Sequence, residues 1–538
     1  MAIKGKYIQA VKKEKVMQLK IEESNGETFL VDDKKSKKEL IKKEKLFIKS
    51  EKQRKKQEVK KIKAEKQEKR KIERERQKIN YLKKLQILKK INKERKEKER
   101  QEALDYERRM SVIYKKRKIA PWLRLDNAGT IYPSATRKKW NFVYRITAVT
   151  KNQVNVDILN TAIGDILPRF PSFNVCLKKG LFWNYFERAP RKLTPIKDIE
   201  FPCQPFDLSD SNANLIRVIY DDYKICFECF HALSDGRGSL MFLNSLLARY
   251  FILSGHEIKD MSTVLSYKDM PTAEELEDSF LKYANNDKTK RPKERAAYKI
   301  KGDNLDAGVV NSLVAEFSVK NLKDIAKKLN CSLTVLLTAC IGYISYLKKN
   351  KTSKKPIRIS VPIDCRTRLE SSTLRNFSTY INIDVEGENL TLEDCIEKFK
   401  QEFAKINNEF IQSNINANVK LQTNIFIKIL PRFIKSIALK NAFNWMGENY
   451  QTLAFSNLGC VNVPEEFKDY VERYEVNLGR SGYNTKSIGV ISFGDKLTIT
   501  FSSNIEENET EKDYFTLLAN LGANMKIYSN RRDIYDTI

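Results

Sequence analysis

The stretch "CFECFHALSDGRGSLMF", residues 226–242, carries one of only two histidines in a chain of 538 residues. Its apolar start reads as a strand. The residues after it, with Leu240, Phe242, Leu243, Leu246, Leu247, Tyr250 and Phe251, have the spacing of a broad apolar helix face. His231 sits between the two, with Asp235 and Gly236 following it. A strand end places a side chain at a sheet edge where a cleft can form, and imidazole takes a proton near neutral pH. Asp235 can pair with an arginine and fix the turn, or cap the following helix. A plain strand-to-helix turn, with Ser234 or Asp235 as cap and His231 merely packed, fits the same letters. Local chemistry therefore leaves both readings of His231 open. Cys226 and Cys229 form a CxxC, but positions an odd number apart on a strand face opposite ways, so these sulfurs share neither metal nor disulfide.

Working outward, "NLIRVIY" and "KICFECF" flank Asp221-Asp222 as a hairpin. "FVYRITAVT" (142–150) alternates as a strand. "VDILNTAIGDILPRFP" places Ile158, Leu159, Ala162, Ile166 and Leu167 on one helical face, stopped by Pro168. Further on, "VAEFSV", "PIRISVPIDC" and "KLTITFSSN" read as strands, and 321–348 as one or two helices. The charged stretch 283–304 reads as a linker between two halves. No Gly-rich phosphate loop is present, which favours α/β layers over a nucleotide-binding fold.

The formal net charge is +31, but it is unevenly spread. Residues 1–118 hold 43 Lys and Arg against 20 Asp and Glu; the other 420 residues hold 57 against 49. This first segment has no proline, and pairs such as Glu65–Lys69 and Glu94–Lys98 favour a helix. Its apolar stripe, Leu82, Leu85, Leu88 and Ile91, lasts about three turns, too short for a sustained coiled-coil seam. Residues 1–118 are expected to be a basic helical or disordered arm, read either as a simply solvated charge-laced segment or as a tether to a polyanion, RNA or an anionic membrane surface. Aromatic residues are scarce there, so nucleic acid would be held by its phosphates and without sequence specificity. The composition changes at "APWLRLDNAGTIYPSA" (120–135), where the globular part is expected to begin. The longest apolar stretch, "LTVLLTACIGYISYL" (333–347), falls short of the roughly 20 residues of a membrane span and reads as a core helix. No secretory pattern opens the chain, and nine scattered cysteines suit reduced thiols. The expected place is the cytoplasm, peripheral to a membrane surface where the arm engages one. His256, after Gly255, reads as a surface residue at a helix end.

"FHALSDGRGSLMFLNSLLARYF" resembles the HxxxDG region of the CoA-dependent acyltransferase superfamily. That group takes in chloramphenicol acetyltransferases, peptide-synthetase condensation domains, wax-ester/diacylglycerol synthases and alcohol acetyltransferases. "RFPSFNVCLKKGLFWNYFE" is similar to the segment where these proteins follow an early helix with a strand. "SVPIDCRTRLESSTLRNFSTYINIDV" (360–385) resembles their second-half P-x-D-x-R…N-F segment. "FSNLG" (455–459) resembles the Ser-Asn-x-Gly turn of the alcohol acetyltransferase branch, and "WLRLDNAGTIYP" the opening of its bacterial members. The resemblance covers roughly residues 120–525.

It implies an α/β fold of two chloramphenicol-acetyltransferase-like halves in a V, 119–304 and 305–538, with an active-site tunnel between them, after the arm 1–118. His231 matches the general base and Asp235 the structural carboxylate, with Arg366 its partner. Gly236 matches the glycine packed closely behind the histidine. Asn376 matches a supporting position of the second-half segment, and Ser456 and Asn457 fall on the turn expected to supply polar contacts near the reacting oxygen. The implied activity moves an acyl group, acetyl in this branch, from acyl-CoA as cosubstrate to a small alcohol or amine, with no metal and no bound cofactor. Two departures stand out: Phe230 replaces the first histidine of the double-histidine members, and the plant DFGWG motif is absent. A carrier-protein-dependent condensation enzyme and a non-catalytic scaffold of the same fold are the alternatives.

Overall fold

The computed structural model describes residues 34–116, 119–137, 140–198, 201–285, 294–423, 429–446, 448–482 and 484–530. Strands of the first part are β1 (Trp122–Arg124), β2 (Val143–Thr150), β3 (Val175–Lys179), β4 (Asn184–Arg188), β5 (Ile196–Lys197), β6 (Ile216–Asp221) and β7 (Lys224–Phe230). Those of the second are β8 (Asn311–Ser318), β9 (Ile357–Asp364), β10 (Ser378–Val385), β11 (Leu453–Cys460), β12 (Val471–Leu478), β13 (Lys486–Phe493), β14 (Lys496–Ser503) and β15 (Met525–Ser529).

The hairpin read around Asp221-Asp222 joins β6 to β7, with Asp221 opposite Lys224. β7 is interior to a five-stranded sheet ordered β12-β2-β7-β6-β5, so six of its seven residues are buried. Its two faces differ in chemistry. Ile225, Phe227 and Cys229 join the core made by the helices Val156–Ile166 and Gly236–Leu253. Cys226 and Glu228 face the other way: Cys226 Sγ accepts from Thr147 Oγ1 at 3.3 Å, and Glu228 lies between Arg145 and Arg217, each at 2.8 Å. The two cysteines of the CxxC are thus on opposite faces. In the helix Val156–Ile166, capped by Asn155, the buried residues are Leu159, Ala162, Ile163 and Ile166. Ile158, expected on this face, is half-buried against the same core, and Ile163 joins it there.

The second sheet has seven strands in the order β10-β9-β11-β13-β14-β8-β15. Its core is built on Leu333–Leu347, the apolar stretch read as a core helix, which packs between helices Leu392–Ala404 and Glu509–Asn520. Among the described residues no single helix is long and apolar enough to cross a membrane. A three-stranded sheet, β1-β4-β3, completes the set.

The structure differs from the two sequence-defined halves at three places. β12 comes from the C-terminal half but pairs antiparallel with β2 in the first sheet. It also packs on β13 of the second: a Cβ on Gly489 would stand 2.4 Å from the Val476 carbonyl oxygen, and Thr498 Oγ1 donates to the Tyr474 carbonyl at 2.7 Å. Second, the expected linker 283–304 is not free throughout. Residues 286–293 lie outside the described residues, but Tyr298 N donates to Pro356 O at 2.8 Å and Arg358 Nη1 to Arg295 O at 2.8 Å, so the chain is already pinned to the second sheet.

Third, the compact unit begins at Glu99 rather than at 119. The arm is a helix, Lys34–Lys116; its first 33 residues and the side chains of Leu82, Leu85, Leu88 and Ile91 lie outside the described ones. Its last turns carry Tyr106, Met110 and Tyr114, four residues apart on one face and all buried. Asn174 Nδ2 donates to both tyrosine hydroxyls, at 3.1 and 3.2 Å, and the Arg188 guanidinium stacks on Tyr114. These contacts draw the end of a charge-rich helix into the core. Removing residues 1–98 is expected to leave the melting temperature of the compact unit unchanged. Removing 1–118 is expected to lower it by several degrees in calorimetry, since each buried side chain of this size contributes about 1.5–3 kcal/mol.

Candidate active site

β7 ends at Phe230, and the next residue, His231, is held by its backbone N–H, which donates to Phe142 O at 2.8 Å. The chain then turns through Ala232–Ser234 to Asp235, whose carboxylate performs both roles left open by the sequence. Oδ1 caps the helix Gly236–Leu253 by accepting from Gly238 N at 3.1 Å. Oδ2 accepts from Arg366 Nη1 at 2.9 Å and from Phe377 N at 2.8 Å. Arg366 sits in a short 3₁₀ turn after β9 and also donates to Asp364 Oδ1, Thr373 O and Arg375 O, at 2.8, 3.0 and 2.6 Å. Burial works against its charge, but Asp235 and Asp364 beside it outweigh that and raise the guanidinium pKa. Ser234 Oγ donates to Leu374 O at 2.6 Å, so the 364–377 segment is stitched to the motif turn along its length.

The ring of His231 stacks on Tyr132, with centroids 4.8 Å apart, and meets Tyr144 edge-on at 5.0 Å. Tyr144 Oη lies 2.9 and 3.0 Å from the Ser234 and Asp235 carbonyl oxygens, which bolts the same turn to β2. His231 Nδ1 lies 3.1 Å from Asn376 Oδ1. Asn376 is oriented in turn: its Nδ2 and its backbone N donate to Asp126 Oδ2, at 3.1 and 3.2 Å. With the amide nitrogen committed to a carboxylate, the amide oxygen faces the ring and can only accept. Nδ1 therefore carries a proton, and in the neutral ring the lone pair is on Nε2. Among the described residues Nε2 has no hydrogen-bond partner, and His231 lines the large cleft.

That cleft has a volume of about 1200 Å³ and draws its walls from both sheets, with His231, Arg366, Tyr380, Ser456, Asn457 and Arg480 among the lining residues. Its size is that of a site for a small molecule or a cofactor-sized ligand. Of the residues singled out in the sequence, His231, Asp235, Arg366 and Asn376 are joined in one hydrogen-bonded set, and Ser456 and Asn457 lie elsewhere on the cleft wall.

Two expected roles change. Gly236 does not pack behind the histidine: a Cβ there would come within 2.4 Å of Leu458 Cδ2, so it packs against β11. The close approach behind the motif turn belongs to Gly129, where a Cβ would stand 2.6 Å from Ala232 O. "FSNLG" is not a free turn but the end of β11, where the pairing with β13 slips after Asn457 and Gly459 takes φ +74°. Asn457 is used up in that bulge, accepting from Gly459 N at 2.9 Å and donating to Thr334 Oγ1 at 3.2 Å. The Ser456 hydroxyl makes no protein hydrogen bond among the described residues. His256 stacks on Tyr470 at 4.2 Å, half-buried rather than on the surface, and does not line the cleft.

Asp126 was missed in the sequence. It is fully buried, and burial pushes its carboxyl pKa up, against the pull of Arg375 and the Gly129 N–H. Its neighbour Asp278, which accepts from Asn127 N at 2.8 Å, is raised to about 6 by burial and by the Asp126 charge. The only sequence signal was an acid inside the quoted "WLRLDNAGTIYP", with its partner 250 residues away.

No protein-family model and no curated protein sequence matches the chain. Among solved structures, TRI101 of Fusarium sporotrichioides, in complex with coenzyme A and T-2, superposes with a TM-score of 0.50 at 11% identity, over 76% of this chain and 100% of that one. Polyketide synthase associated protein 5 from Mycobacterium tuberculosis gives 0.49 at 14% identity, over 74% and 97%. The trichothecene 15-O-acetyltransferase TRI3 from F. sporotrichioides gives 0.48 at 13%, over 74% and 94%. The likeness to TRI101 concerns the fold: the compact unit has the mixed α/β architecture of that structure.

Two measurements probe the set. Arg366→Met is expected to cost about 3–5 kcal/mol in urea unfolding, because it strands a buried carboxylate; with Asp235→Asn added, the combined loss should fall short of the sum. Asp278 has a folded pKa above its unfolded one, so its stability contribution is complete below about pH 4 and is lost as pH rises through about 6. Asp278→Asn should accordingly flatten the fall in melting temperature between those limits.

Proposed function

We propose that the chain transfers an acyl group from acyl-CoA to the hydroxyl or amine of a small acceptor, with His231 as general base. The observation that carries this reading is the tautomer lock. Asp126 orients Asn376, Asn376 accepts a hydrogen bond from His231 Nδ1, the lone pair of the neutral ring is thereby left on Nε2, and His231 lines the cleft. A histidine kept in that state has little structural use, and it is what proton abstraction requires.

The acceptor O–H or N–H gives its proton to Nε2 as the heteroatom attacks the thioester carbonyl carbon. The carbonyl π pair moves onto oxygen, and the Ser456 hydroxyl, unbonded on the cleft wall, is the donor offered to that oxyanion. Collapse breaks the C–S bond, and the departing thiolate takes the proton back from the imidazolium to leave CoA as the free thiol. No covalent acyl-enzyme is needed. Asp235 and Arg366 act on the turn that carries His231 and touch no reacting atom. The acetyl group and an alcohol acceptor are the choices favoured by the "FSNLG" and "WLRLDNAGTIYP" resemblances.

The test follows free-thiol release from acetyl-CoA and longer acyl-CoAs with a panel of alcohols and amines. His231→Ala is expected to lower kcat by about 10²–10⁴, the share of a general base. Asn376→Ala should lower kcat by about tenfold or more, and less than the loss of the base itself, because the ring then exchanges tautomers. Full activity in His231→Ala, or no transfer with any acyl-CoA while a carrier-borne acyl group is accepted, would overturn the assignment. The basic arm is proposed to tether this activity to a polyanion. Removal of residues 1–98 should leave turnover intact, abolish salt-sensitive co-sedimentation with ribosomes and weaken that with anionic vesicles.

A further inference from the structure

The hairpin between β3 and β4 and the helix Arg432–Met446 meet at a point that neither the core nor the cleft explains. Arg432 N donates to Leu181 O at 2.9 Å, and its Nε to Gly180 O at 3.1 Å. Lys435 Nζ donates to Phe182 O at 3.2 Å and sits 3.7 Å over the Trp183 ring. Lys435 is itself buried, and burial depresses its pKa. A lysine spent on fixing a hairpin tip to a helix makes one surface of the two.

What that surface presents is apolar. Leu181 is 74% exposed at the tip, with Phe182 beside it; Ile429, Phe433, Ile434 and Ile437 are exposed at and before the start of the helix. Phe433, Ile434 and Ile437 share one helical face by their spacing, and the buried Lys435 points the other way. Single exposed leucines are ordinary, but six large apolar side chains on two joined segments are a patch.

Charge says what covers it. The sequence holds no Asp or Glu from residue 411 to 447, yet carries Lys420, Lys428, Arg432, Lys435 and Lys440. The hairpin β3–β4 carries Lys178, Lys179 and Arg188 against a single acid, Glu187, which pairs with Lys178 at 3.4 Å. An apolar, partly aromatic tip within a net basic surround fits the headgroup–acyl boundary of an anionic bilayer: rings and aliphatic chains insert, and ammonium groups meet phosphates. We infer that this face of the compact unit docks on an anionic lipid surface, separately from the arm and independently of the acyl-transfer reading.

The experiment uses the full chain and its Leu181→Ser/Phe433→Ser/Ile437→Ser variant, both with the arm intact. Flotation with vesicles of equal parts phosphatidylglycerol and phosphatidylcholine measures partition at low salt and at about 1 M salt, where the Debye length is about 3 Å and the arm is screened. The expected result is at least a tenfold lower partition for the triple variant at about 1 M salt and a smaller loss at low salt, where the arm still binds, with an unchanged melting temperature because all three side chains are exposed. In a second arm, Phe433→Trp should show blue-shifted emission on adding these vesicles, and less on adding pure phosphatidylcholine. Equal partition of wild type and triple variant overturns the inference. So does a wild-type dimer that the triple variant converts to monomer, since a second copy would then be the occupant.

Discussion

A carboxylate with almost no access to water must find donors or lose its charge, and Asp235 finds three: the Gly238 and Phe377 N–H groups and the Arg366 guanidinium. Each donor comes from a different piece of chain, so satisfying one side chain fixes where a helix starts, where a loop ends and how far apart two segments lie. The consequence for His231 is direct. Asn376 immediately precedes Phe377, so the bond from Phe377 N to Asp235 also sets the amide that faces the ring. Ring tautomer, turn and crossing segment are one hydrogen-bonded unit, which is why the acid four residues after the histidine acts without touching a reacting atom.

The cleft owes its shape to a second constraint, the sharing of β12. This strand pairs in the first sheet and packs on β13 and β14 of the second, with Gly489 allowing the backbones to touch. The face of the first sheet away from its helices carries Arg145, Glu228 and Arg217, a buried ladder of opposite charges across three strands. Such a ladder contributes little net stability against an apolar alternative, but any break in it leaves an unpaired buried charge. The walls that carry His231 and Ser456 are therefore held in register by a strand that neither half can release alone.

The molecule also has surfaces unrelated to the cleft. The arm helix displays Lys and Arg over most of its length, and the hairpin–helix face combines apolar tips with a basic surround. Both suit anionic partners, but by different physics: screened long-range attraction in one, burial of apolar area in the other.

The sequence by itself determined what depends on near neighbours. Period and turn chemistry were enough for the β6–β7 hairpin, the helix after Asp235, the core helix Leu333–Leu347 and the opposite facing of Cys226 and Cys229. The resemblance of its ordered motifs brought Arg366 and Asn376 into view beside His231. Only the tertiary structure decided the rest, because the deciding contacts join residues with no local signature. Asp126 reaches Asn376 across 250 residues. Gly236 is small for Leu458, far along the chain, and β12 changes sheets for a pairing that its own letters do not specify. Tyr106, Met110 and Tyr114 went unread in the sequence: they recur every four residues, but amid lysines and glutamates nothing local says that Asn174 and Arg188 will cover them. Periodicity tells which face of an element is buried; what it is buried against is settled only when distant segments must satisfy one another's polar groups.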